Sequence, residues 1–136
     1  MPFVVDASIV HAWAFDEGHP TADAIRERLD VDHAVAPNLW WLEVRNGLVV
    51  GERRGRVTEM ETNRFLRELL HAPIALDPLP DEGQLMALVR RHRLTVYDAA
   101  YLELALRERL PLATLDTALA AAARQEGVAV LGDAEP

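Results

Sequence analysis

The chain has 136 residues, half of them hydrophobic and only 6% aromatic, so one domain with a core of Ala, Leu and Val is expected. It carries 22 acids against 14 bases, and its formal charge of −8 argues against non-specific nucleic-acid binding. Every base is Arg and Cys is absent, which excludes a P-loop or Schiff-base lysine, disulfides, thiolate catalysis and cysteine-ligated zinc.

In chain order, Phe3-Val4-Val5 reads as a short strand ending at Asp6, and residues 8–15 suit a helix. A second helix, 21–29, opens at Pro20. Ala34-Val35-Ala36 reads as a strand stopped by Pro37. Asn38 stands where an N-cap belongs for a long helix to Arg54, with Leu39, Leu42, Val49 and Val50 at helical spacing and Gly55 ending it. Thr58 opens another helix reaching His71, and Glu61 three residues on completes a capping-box pattern. Its apolar stripe is Met60, Phe65 and Leu69. Ile74-Ala75-Leu76 is a strand between prolines, and Asp81 caps a helix to Arg91. Thr95 or Asp98 starts the next, which reaches Arg109. After Pro111, residues 112–115 form a strand ending at Asp116, and 117–125 an Ala-rich helix closed by Gly127. Residues 128–131 are a last strand, and the tail 132–136 is expected to be loose.

Strands alternating with helices imply right-handed crossovers and a mostly parallel sheet covered on both faces, the α/β class. Such sheets carry their sites just past the carboxyl ends of strands, where Asp6 and Asp116 stand. Glu43 and Asp98 fall within or at the start of helices. All four acids have apolar neighbours: Val-Val-Asp-Ala, Trp-Leu-Glu-Val, Val-Tyr-Asp-Ala and Thr-Leu-Asp-Thr. Acids rarely enter such settings unpaired. Brought together, they require protonation or a cation. The donors are all hard oxygens, with no Cys and no His nearby in sequence, which selects Mg²⁺ or Mn²⁺ over Zn²⁺. The alternative is local: Asp98 and Asp116 precede helices and could simply cap them.

These segments resemble PIN-domain proteins, and among them the VapC-type toxins of toxin–antitoxin pairs. The resemblance runs through Val4-Val5-Asp6-Ala7-Ser8, the segment 37–46 with Glu43-Val44 and Asn46, the segment 94–105 around Asp98, and the segment 111–119 around Asp116. It implies a PIN-like three-layer α/β/α fold with a central parallel sheet, spanning residues 1–136 as a single domain. It also implies an Mg²⁺- or Mn²⁺-dependent endoribonuclease whose catalytic, metal-binding acids are Asp6, Glu43, Asp98 and Asp116. Ser8 and Thr114 carry over as groups that orient an acid or a water. The partners implied are an RNA substrate, a VapB-type antitoxin and a second copy of the chain. The homodimer face is placed on the helices of residues 40–67.

Two other readings of the same fold stay open: an RNA-processing PIN nuclease that is not a toxin, and a metal- or RNA-binding module without turnover. A phosphohydrolase of another α/β family is disfavoured by Ser8, where one such family has a second Asp. A dinucleotide fold is disfavoured because no G-x-G-x-x-G follows the first strand.

Arg45, Arg90 and Arg91 are candidate contacts for RNA or antitoxin, against the alternative of solvated helix ends. Arg53, Arg54 and Arg56 are expected to face solvent or a partner. Trp40 and Trp41 are also candidate contacts. Adjacent helical positions point about 100° apart, so one is expected in the core and the other at a groove. Trp13 and Phe15 extend that groove or pack in the core. The five His have no ligand spacing and receive no role. The N-terminus lacks a basic region, and no apolar run reaches the roughly 18–20 residues of a membrane span, so a soluble cytoplasmic protein is expected. The charge of −8 is half accounted for by the four acids, which two bound Mg²⁺ would formally cancel.

Overall fold

Val4 pairs with Val35 on one side and with Leu112 on the other, which puts β1 (Phe3–Val5) inside a parallel sheet. A computed structural model describes residues 1–131; the tail expected to be loose, 132–136, lies outside the described residues. The sheet is completed by β2 (Ala34–Pro37), β3 (Ile74–Asp77) and β4 (Leu112–Ala113), in the order β3-β2-β1-β4, all parallel. Successive strand residues point to opposite faces. Phe3, Val4 and Val5 are all fully buried, so both faces of the sheet are covered.

The covering layers are α1 (Ala7–Ala14), α2 (Pro20–Arg28) and α3 (Leu39–Arg53), with α4 (Glu59–Leu69), and α5 (Glu82–His92), α6 (Val96–Glu108) and α7 (Thr117–Gln125). α1 packs on α2 and α3, whereas α6 packs on α5, α7, β1 and β2. This is the expected α/β architecture. The connection direction reverses between β1 and β4, so the crevice past their carboxyl ends is the topological switch point of the sheet. No helix among the described residues is long and apolar enough to cross a membrane.

The starts of α4, α5 and α6 are capped as the sequence predicts. Thr58 and Glu61 form the reciprocal capping box, Asp81 accepts from Gln84 N–H, and Thr95 accepts from Asp98 N–H. Asn38 does not cap. Its own backbone is already helical, and its Nδ2 donates to the Pro78 carbonyl at 3.1 Å. Pro37 is the last residue of β2 rather than the first beyond it. It sits in register with Asp77, and the next ladder bond runs from Asn38 N–H to the Asp77 carbonyl. The strand expected at 128–131 reduces to one bridge, Val130 beside Leu112.

The buried face of α3 differs most from expectation. Leu42 and Val49 are exposed, at 65% and 37%, while Trp40, Val44, Leu48 and Gly51 are buried. Two glycines hide this face from a count of hydrophobic residues. A Cβ at Gly47 would lie 2.1 Å from His11 Nε2, and one at Gly51 would lie 2.5 Å from the Phe15 ring. The His11 and Phe15 rings therefore lie on α3 where the two glycines leave them room. In α4, Met60 is exposed, and the packed positions are Phe65, Leu66 and Leu69. Trp13 is core, its indole N–H bonded to the Ala22 carbonyl, and Phe15 packs against the core.

Candidate active site

Asp6 leaves β1 at the switch point and is 6% exposed. It occupies the N-cap position of α1, but its side chain does not cap. Instead Oδ2 accepts two hydroxyl bonds, from Ser8 Oγ at 2.8 Å and Thr114 Oγ1 at 2.6 Å. Each hydroxyl in turn accepts a backbone N–H from the turn before α7: Leu115 N–H to Ser8 and Asp116 N–H to Thr114, both at 3.0 Å. A hydroxyl has one proton, and here both protons go to Asp6. Burial pushes the Asp6 pKa up and the Asp116 charge adds to this, against the lowering effect of the two hydroxyls.

Glu43 is half-buried on α3. Tyr101, on α6, donates its hydroxyl to Oε1 at 2.5 Å. His11 Nε2 lies 3.0 Å from the Glu43 carbonyl and 3.2 Å from that of Val44, so the backbone at Glu43 is gripped from α1. Burial raises the Glu43 pKa, and the charges of Asp6 and Asp98 raise it further.

Asp98 lies in the first turn of α6. Thr95 is the cap, which leaves the Asp98 carboxylate free of that duty. Its pKa is also raised, by burial first and then by Asp116 and Asp6. Asp116 does cap: its Oδ1 accepts from Leu119 N–H at 3.0 Å, so for this acid the local alternative holds alongside any other role. Asp6 Oδ1, Glu43 Oε2 and Asp116 Oδ2 take no part in these bonds.

The four acids thus act on one another, and among the described residues no cation is a cause of the shifts at Asp6, Glu43 or Asp98. Among the described residues, no ion pair includes any of the four. Asp77 shows the contrast. It too ends a strand, but Arg107 grips both its oxygens, at 2.8 and 3.2 Å, and also bonds Glu103, which is 1% exposed. Asp81 N–H completes the Glu103 carboxylate at 3.1 Å. The sequence reading missed this cluster; its signal was the i, i+4 spacing of Glu103 and Arg107 on α6.

Among the described residues no three acidic or histidine side chains converge closely enough to hold an ion as they stand. The donor set nevertheless fits Mg²⁺ or Mn²⁺. Mg²⁺ keeps several waters and takes only one or two carboxylates directly, so acids that share a field without closing a shell suit a hydrated ion.

Trp40 is 5% exposed and packs in the core. Its i+4 and i+8 partners Val44 and Leu48 face inward with it, and it also lines the floor of the cavity beside Trp41. Trp41 is 46% exposed, and the Arg45 guanidinium stacks 3.6 Å from its ring centre. The two side a shallow cavity of about 140 Å³ with Leu66, Leu70 and Leu76. Arg91 is bonded to Glu126 at 2.7 Å, and Arg90 is exposed. Neither they nor Arg45 act on the acids.

Asp6 and Asp116 stand past the carboxyl ends of β1 and β4 at the switch point of a parallel sheet, and no glycine-rich turn follows β1 as a dinucleotide fold requires. The PIN domain family matches residues 3–125, and the chain belongs to that family. PIN domains are generally nucleases that use divalent metals. No curated protein matches the sequence significantly. Among solved structures, the chain is similar to PAE2754 from Pyrobaculum aerophilum, with a TM-score of 0.74 and 24% identity over 96% of this chain and 89% of that one. It is also similar to VapBC2 from Rickettsia felis bound to a DNA fragment from their promoter, with a TM-score of 0.62 and 13% identity over 96% and 97%. A toxin–antitoxin complex from Klebsiella pneumoniae gives 0.58 and 20%, over 85% and 87%. At these identities the likeness concerns the fold.

Proposed function

We propose that the protein is an Mg²⁺- or Mn²⁺-dependent endoribonuclease, the toxin of a toxin–antitoxin pair. The observation that carries this reading is geometric: the Thr114 hydroxyl joins Asp6 to the Asp116 backbone at the switch point of the sheet, with Glu43 and Asp98 near enough for the charges of the acids to act on one another. Asp6, Glu43, Asp98 and Asp116 would hold the ion. When bound, a divalent cation supplies Lewis-acid stabilisation of phosphate charge and activates water. Ser8 and Thr114 fix the Asp6 carboxylate, while Asp116 divides its two oxygens between the α7 cap and the site.

The toxin role draws on the structural neighbours that are toxin–antitoxin assemblies. The stacked pair Trp41–Arg45 is the surface on which an antitoxin side chain or an RNA base would lie. The exposed Leu42, Val49 and Met60 support a homodimer face on the helices of 40–67.

The test is cleavage of structured RNA by purified protein with Mg²⁺, Mn²⁺ or chelator. Metal-dependent cleavage that is abolished in Asp6→Ala and Asp98→Ala is expected; metal-independent cleavage, or none, sinks the reading. The alternative is a module that binds RNA without turnover. Such a module would bind RNA without nicking it, and its expression alone would not arrest growth.

A further inference from the structure

Tyr101 is fully buried, yet its hydroxyl reaches the half-buried Glu43 carboxylate, 58 residues away in sequence, at 2.5 Å. A phenolic hydroxyl keeps its proton at neutral pH, so Tyr101 is the donor and the carboxylate the acceptor. The hydroxyl therefore ties α6 to the Glu43 side chain on α3. Only Oε1 is used, and Oε2 takes no part. The backbone of Glu43 is fixed separately by His11, so losing the hydroxyl releases the carboxylate without releasing the helix.

We propose that Tyr101 is a positioning residue whose hydroxyl holds one oxygen of Glu43 and so commits the other to a divalent cation. The role rests on the metal-dependent reading above. Partners that orient a ligating side chain typically contribute 10–100-fold to metal affinity. A phenylalanine in this buried slot would serve packing equally well. The hydroxyl is the part that needs a reason, and Glu43 supplies it.

The test is calorimetric titration of the full chain with MnCl₂ alone. Tyr101→Phe is expected to bind Mn²⁺ about 10–100-fold more weakly than the unmodified protein. Tyr97→Phe, on the exposed side of the same helix, is expected to bind as the unmodified protein does. In a Glu43→Gln background the Tyr101→Phe change is expected to have no further effect, because Tyr101 acts through Glu43. Unchanged affinity in Tyr101→Phe, or an equal loss in the Glu43→Gln background, overturns the proposal while leaving the nuclease reading intact. Absence of Mn²⁺ binding by the unmodified protein overturns both.

A second measurement does not depend on Tyr101→Phe folding. The chain has two tyrosines, so 3-fluorotyrosine labelling gives two ¹⁹F resonances, each assigned by its Phe variant or, for Tyr101, by elimination. Titration with Mg²⁺ is expected to move the Tyr101 resonance and leave that of Tyr97 in place. A Tyr101 resonance that stays still as Mg²⁺ saturates the protein overturns the proposal.

Discussion

Thr114 Oγ1 donates to Asp6 Oδ2 at 2.6 Å, closing a contact between residues 108 apart, and accepts the Asp116 N–H at 3.0 Å. One hydroxyl thus ties the end of β1 to the start of α7 and orients the most buried of the four acids. Thr114→Val keeps the shape but removes both bonds, leaving a buried carboxylate with one hydroxyl donor and an N–H without its acceptor. Hydrogen bonds to charged groups contribute about 1.5–3 kcal/mol. Urea denaturation should show a loss of that size for Thr114→Val and under about 1 kcal/mol for Thr114→Ser, which keeps the hydroxyl. An equal loss in both would place the effect in packing.

Asp98 carries the opposite sign. Its folded pKa is raised above the ordinary 3.8, by burial first and then by Asp116 and Asp6. Between the two values the folded chain binds more protons than the unfolded one, so stability falls as pH rises through that window. At neutral pH without metal, Asp98→Asn should therefore melt at a higher temperature than the unmodified protein. Saturating Mg²⁺ should reverse the order. Ligand at a hundred times its Kd adds about 2.7 kcal/mol to a protein that binds it, and the variant gains less. Scanning calorimetry with Mg²⁺ and with chelator checks both; a variant less stable in chelator would contradict the uncompensated pocket.

Gly47 is the point where α1 meets α3. A Cβ there would lie 2.1 Å from His11 Nε2 and 2.3 Å from its Cε1. Gly47→Ala must push the imidazole off the carbonyls of Glu43 and Val44. Overpacking of this kind typically costs about 1–3 kcal/mol. His11→Ala in the Gly47→Ala background should recover part of the loss, because the ring is the obstacle. Chemical denaturation of the two singles and the double gives the coupling; strict additivity would mean the ring and the helix yield independently.

The sequence displayed these features unevenly, for physical reasons. Asp6 and Asp116 are legible because a parallel sheet puts its site past strand ends, and strand ends can be read from short apolar runs. Asp77 obeys the same rule and is no site, because Arg107 neutralises it, and a partner 30 residues away leaves no local mark. Glu43 and Asp98 are legible through their apolar neighbours and the resemblance those segments carry. Tyr101 lies within one of those segments, but an aromatic among alanines and leucines reads as core, which its ring is. Only the fold reveals where the hydroxyl ends. The inner face of α3 was misread because close helix contact selects glycine, so a search for large apolar residues found Leu42 and Val49 on the solvent side. The i, i+4, i+8 series Trp40, Val44, Leu48 was the available signal.

Glu126 joins the end of α7 to the end of α5: its Oε2 lies 2.6 Å from His92 Nε2 and 2.7 Å from Arg91 Nη1. The hydrogen bond with His92, then that with Arg91, holds the Glu126 pKa below the ordinary 4.5. A carboxylate depressed in the folded state contributes stability that is fully present above its unfolded value and is lost as pH falls through the folded one. Glu126→Gln should therefore destabilise the protein at pH 7, by roughly the 1–3 kcal/mol of a charge-assisted bond. The difference between variant and unmodified protein should begin to shrink near pH 4.5 and vanish in stronger acid. The Asp98 effect runs the other way over the same range, so the two are separable by measuring each variant against the unmodified protein at every pH. Urea melts from pH 7 to pH 3 supply the comparison. A Glu126→Gln difference that stays constant with pH would show that the carboxylate's charge is not what ties the two helix ends together.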